Sequence, residues 1–152
     1  MISIVVGLMA AGTAAWLAQR KFVPPISADD PRQVALGSSV YAARCAQCHG
    51  ANLEGQPDWQ QRLANGRLPA PPHDASGHTW HHPDEILFGI TKNGMTPYAS
   101  ADYESDMPAF ARVLTDDEIA AAIAFIKSRW PADIRARQAR INEQWKEQGV
   151  SP

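Results

Sequence analysis

The hydrophobic pattern begins with seventeen uncharged residues, Ile2 to Ala18 (ISIVVGLMAAGTAAWLA), and stops at Gln19-Arg20-Lys21. As a helix this run would be roughly 26 Å long, at the short end of what crosses a bilayer. No basic residue precedes it and Trp16 lies near its boundary, which favours an uncleaved anchor over residues 1–21. Ala10-Ala11-Gly12 keeps a cleavable signal peptide as the competing reading. Residues 22–31, FVPPISADDP, lose the hydrophobicity and read as a short tether.

Helical periodicity starts near Pro31 or Arg32, with Val34, Val40 and Tyr41 as apolar points, and runs into a cysteine-containing stretch. The segment after that stretch, through residue 77, is loop by composition. Pro83 opens a second helix with Asp84 and Glu85 in its first turn, and Ile86, Leu87 and Ile90 carry it to Asn93-Gly94. A long loop covers 94–112. Thr115 then caps a third helix, with Glu118 three residues later as its capping-box partner. Ile119, Ala122, Ile123 and Ile126 form one apolar face of it, and Pro131 after Trp130 stops it. Beyond that, Ile134, Ile141 and Trp145 leave a sparse apolar stripe on a polar helical extension, 131–152. No run of alternating β-branched residues suggests a strand, so the pattern predicts an all-α domain with long loops.

Composition narrows this picture. A chain of 152 residues, 20% charged, suits one small domain plus extensions. A net charge of -2 gives no basis for a nucleic-acid partner. Both cysteines of the chain fall within RCAQCHG, residues 44–50. A redox disulfide uses C-x-x-C but gives the following histidine no task. Zinc needs about four ligands, so two more would have to be found. Haem attachment uses all five positions, the thiols adding to two vinyl groups and the imidazole lying beneath the iron.

Gly37, Val40, Tyr41, Cys45, Cys48 and His49 together give G-x-x-V-Y-x-x-x-C-x-x-C-H. This resembles the N-terminal helix of class I c-type cytochromes, in a bacterial, membrane-anchored form, over about residues 32–130. The resemblance implies the class I cytochrome c fold, in which terminal helices cross at Gly37 and Tyr41. It implies one covalent haem c on Cys45 and Cys48, with His49 and Met107 as axial ligands of the iron. Met107 precedes Pro108 on the loop before the last helix, as the family's distal methionine does; Met95, in Gly94-Met95-Thr96-Pro97, is the runner-up. It further implies that a backbone carbonyl of the 68–72 proline segment accepts from the axial histidine, Pro71 first and Pro69 behind it. Trp80 would pack on the haem. Arg67, Tyr98 and Tyr103 are each placed between a propionate bond and plain solvent exposure.

The function implied is electron transfer by Fe(III)/Fe(II) cycling, without catalysis or a small-molecule substrate. The setting is the periplasmic face of the inner membrane, with redox partners in or at that membrane. Arg20 and Lys21 run against this orientation by the positive-inside rule, and the haem motif is given precedence. Two alternatives stand beside it. One is a haem sensor or ligand-binding enzyme with a labile sixth ligand. The other is a copper or zinc site built from His73, His78, His81, His82 and Met95.

Overall fold

The structure, a computed structural model, describes residues 23–149. The proposed anchor, residues 1–21, lies outside them. Among the described residues no helix is long and apolar enough to cross a membrane.

The described chain is helical, with long loops and no strand. Its elements are α1 (Pro31–Arg44), α2 (Ala46–His49), a 3-10 turn (Thr79–His81), α3 (Asp84–Asn93), α4 (Asp116–Ser128) and α5 (Ala132–Glu147). Local chemistry sets their limits. Asp30 caps α1 by accepting from the N–H groups of Arg32 and Gln33, and Pro31 follows where no N–H is needed. α1 ends at Arg44 and does not continue through the cysteines, as Cys45 turns the chain into the separate four-residue α2. α3 ends on Gly94 at φ +77. α4 opens on the expected capping box, Thr115 with Glu118, and carries three acidic residues in its first turn, where the helix dipole favours them.

The domain is organised around the crossing of α1 and α4. A Cβ placed on Gly37 would stand 1.9 Å from the carbonyl oxygen of Ala121, so only glycine lets the two backbones approach this closely. One turn later Tyr41, 1% exposed, packs its ring on Phe125 with centroids 5.4 Å apart. Its hydroxyl donates to the Gly50 carbonyl at 2.8 Å, which ties the crossing to the cysteine motif. Leu53, Ile126, Trp130 and Ile134 complete this core, and Leu87, Phe88, Ile119 and Ile123 form a second one between α3 and α4.

The segments on either side of the helical core are both fastened to the domain. The tether packs Val23 and Ile26 on the α3–α4 core and buries Pro24. Gln33 holds it at both amide atoms, through Pro25 O at 2.8 Å and Ser27 N at 2.7 Å. The C-terminal extension folds back as α5, burying Ile134 and Gln138. Gln138 and Asn142 reach Asp84, whose carboxylate also takes Lys127 at 2.7 Å in a largely buried pair. The stripe alone did not reveal this docking, because its polar anchors, Gln138 and Asn142, carry no hydrophobic signal.

Candidate haem site

α2 presents the motif. Cys45 is half-buried, Cys48 exposed, and both are free thiols. Burial, with the neighbouring Cys48 adding to it, pushes the Cys45 thiol up to about 11. A thiol that stays protonated at neutral pH is a poor disulfide-exchange nucleophile, so Cys45 is not activated for redox exchange.

His49 is 7% exposed. Its Nδ1 lies 2.9 Å from the Pro71 carbonyl oxygen, which can only accept, so Nδ1 carries the proton and Nε2 keeps its lone pair. Burial lowers its pKa, with the Pro71 hydrogen bond acting weakly the other way, so the ring is neutral. A neutral imidazole with Nδ1 anchored to a carbonyl is the usual state of a metal-ligating histidine. Of the two prolines considered, Pro71 is the one whose carbonyl meets the ring. Gly55, at φ +69, lets the chain press against the Pro71–Pro72 peptide, where a Cβ would stand 2.4 Å from Pro72 N. That contact fixes the carbonyl from behind.

His73 belongs to the same site, a placement its sequence position did not signal. Its ring stacks on His49 with centroids 4.0 Å apart. Its Nδ1 meets Thr79 Oγ1 at 2.8 Å, its N–H donates to Leu53 O at 2.8 Å, and its carbonyl accepts from Trp130 Nε1 at 2.7 Å. Burial, reinforced by His49 and His78, holds its pKa well below the usual histidine value. Leu53, buried and at φ 70, turns its carbonyl to accept from both His73 and Asp74.

Of the other histidines, His78 meets the His82 ring edge-on with centroids 5.6 Å apart. His78 stacks on Trp59, and His81 lies against Trp80. Among the described residues no three of His, Cys, Asp or Glu gather as a metal-holding group. His73 is bonded to Thr79, and His78 and His81 lie against aromatic rings, so these imidazoles do not form the copper or zinc cluster the sequence raised.

On the loop before α4, Met95 and Met107 are both half-buried. The Met107 N–H donates to Ser105 Oγ at 3.1 Å. Just beyond, the N–H groups of Phe110 and Ala111 donate to Thr91 and Lys92, two carbonyls at the end of α3 that have no partner within that helix. Arg67, weighed for a propionate, bonds Glu104 and Asp106. Tyr98 folds over Gly89 of α3, and Tyr103 lies under the Arg62 guanidinium.

The donor set suits a covalent haem. Two free thiols and a neutral, pre-oriented imidazole stand in five residues, and the buried Trp80 Nε1 has no acceptor among the described residues. A buried indole N–H normally finds a partner, and a haem carboxylate is an acceptor of the right chemistry.

Crossed terminal helices with a C-x-x-C-H turn beneath them define a haem-binding electron-transfer domain. The family model for cytochrome c matches residues 34–130, and the chain belongs to the cytochrome c family. That membership implies a covalently attached haem c and electron transfer, and members typically carry electrons rather than act as enzymes. No curated protein and no solved structure matches the chain.

Proposed function

We propose that the chain is a membrane-anchored, monohaem electron carrier of the bacterial periplasm, with Cys45 and Cys48 bonded to the haem and His49 and Met107 as its axial ligands. The observation that carries this reading is the His49–Pro71 hydrogen bond, which leaves Nε2 as the only ring nitrogen free to bind a metal. The haem, when bound, supplies a reversible one-electron Fe(III)/Fe(II) couple. The chain's own residues set the conditions for that couple. Pro71 fixes the imidazole plane and raises its donor strength. Trp80 packs against the core of Tyr41, Leu53, Ile126, Trp130 and Ile134, and its indole N–H would be available to a haem carboxylate. Pro108 keeps the Met107 segment from turning helical, and Ser105 holds its backbone. His49 and Met107 would hold the iron, and an imidazole fixed by Pro71 would change position little as the iron changes oxidation state.

Residues 1–21 would anchor the domain, and its partners would be redox proteins in or at the same membrane. The full chain, produced in cells able to attach haem c, should stain for haem on a denaturing gel and sediment with membranes. The Cys45→Ser/Cys48→Ser variant should lose the stain completely. The ferric protein should show a methionine–iron absorption band that Met107→Ala removes while the covalent haem remains, and that Met95→Ala leaves in place. Loss of the band in Met95→Ala alone would transfer the ligand role to Met95, and a chain without covalent haem would end the proposal.

A further inference from the structure

Met107 stands between two fixed points of different kinds. On its C-terminal side the backbone of Phe110 and Ala111 is bonded to the end of α3, and Phe110 is buried. On its N-terminal side the segment 102–106 is held across a gap by a second loop, and the contacts there are made by charge. Arg67 Nε donates to Glu104 Oε2 at 3.2 Å while its Nη1 donates to Asp106 Oδ1. Arg62 lies over the Tyr103 ring, 5.9 Å from its centroid.

The arginines are not loose surface side chains. Residues 63–67 form a tight turn, closed by Leu63 N to Arg67 O at 2.8 Å and Gly66 N to Leu63 O at 2.8 Å. Asn65 Oδ1 accepts the Arg67 N–H at 3.0 Å, and Arg62 Nη1 donates to Gly66 O at 2.6 Å. The turn therefore delivers a fixed guanidinium to two carboxylates that flank Ser105, directly before Met107. Four residues further along the same loop is Pro71, which holds His49. A cleft of about 200 Å³ lined by Arg62, Asn65, Gly66, Asp102 and Glu104 opens beside the ion pairs, so solvent and salt reach them.

We propose that Arg67, bridging Glu104 and Asp106, is a positioning residue that latches the Met107 loop closed, so that the hold on the distal ligand weakens with ionic strength. This rests on Met107 as the axial ligand. An external ligand binds only while the loop is open, so its apparent affinity reports the open fraction. Exposed ion pairs are individually weak and are screened by salt. Without Arg67, Glu104 and Asp106 lose the cation that ties them to the 63–67 turn.

The test is titration of the ferric, haem-bound full chain with imidazole at about pH 8, where imidazole is neutral, at low and high ionic strength. Wild type should bind imidazole more tightly in high salt. Arg67→Gln should bind it roughly three- to tenfold more tightly at low salt, with the salt dependence largely lost. Arg67→Lys, which keeps the charge without the fork, should fall between, and Glu104→Gln/Asp106→Asn should reproduce Arg67→Gln from the other side. If wild type shows the methionine–iron band and Arg67→Gln titrates like it at both salt concentrations, the latch is refuted while Met107 remains the ligand. If the wild-type band is missing, the Met107 assignment fails and the latch falls with it.

Discussion

The two faces of the candidate haem site are built from different materials. The His49 face is continuous with the core: Tyr41 bonds the Gly50 carbonyl, Pro71 fixes the imidazole, and Trp130 holds His73 against it. The Met107 face is a loop secured by two backbone hydrogen bonds on one side and exposed ion pairs on the other. Apolar packing and buried hydrogen bonds are insensitive to salt, while exposed charge pairs are not. His49 is thus held as firmly as the domain itself, and on the proposed assignment the Met107 loop is the side that can loosen without unfolding the core. Whether such a protein carries electrons steadily or admits outside ligands is decided at the second face.

Breaking the crossing under the first face should give the largest effect. Gly37→Ala drives a Cβ into the Ala121 carbonyl, and a backbone atom cannot step aside as a side chain would. We expect a loss of about 3 kcal/mol in urea unfolding, at the upper end for overpacking, with little dependence on salt. A stability equal to wild type would mean that the helices do not cross so closely.

Acid should sharpen the comparison next. His73 is neutral in the fold because burial holds its pKa well down, whereas in the unfolded chain it titrates near its ordinary value. The unfolded state therefore takes up the proton first, and stability falls as pH drops below about 6.5, by up to about 1.4 kcal/mol per pH unit for one histidine. Urea midpoints at pH about 7 and 5.5 should show this loss, and His73→Leu should flatten it. An unchanged slope in His73→Leu would place the proton uptake elsewhere.

The smallest effect should come from the end of the distal loop. Thr115→Ala removes the cap of α4 and its partner bond to Glu118, at a cost of about 1 kcal/mol. Because the loop ends at that cap, imidazole binding should tighten alongside the loss of stability. Gly37→Ala should not favour imidazole in the same way.

Much of the frame was readable from local signals. Thr115 and Glu118 bound α4, Pro83 and Gly94 bound α3, and the register of Gly37 and Tyr41 against Cys45 marks the crossing, since each of these features acts over one or two helical turns. The site was only half readable. Its motif is local, but Pro71 came from family resemblance rather than from any spacing rule, and His73 looked like one more loop histidine. Arg67 meets its carboxylates 37 and 39 residues away, and Arg135 meets Asp29 at a separation of 106, distances at which no periodicity links partners. Gln138 and Asn142 are illegible for the same reason, compounded by polarity: a buried amide looks like a surface amide until the half-buried Asp84 it serves is known.

The docking of residues 23–26 changes what the stretch before α1 does mechanically. As a free strand, FVPPISADDP could extend by roughly 30 Å and let the domain sweep a wide volume. With Val23, Pro24 and Ile26 seated against α3 and α4, that slack is gone, and whatever precedes Val23 departs from one place on the surface. A domain fastened in this way works as a stiff wrist rather than a leash. The residues just before α1 therefore add little reach of their own, because most of them travel with the domain.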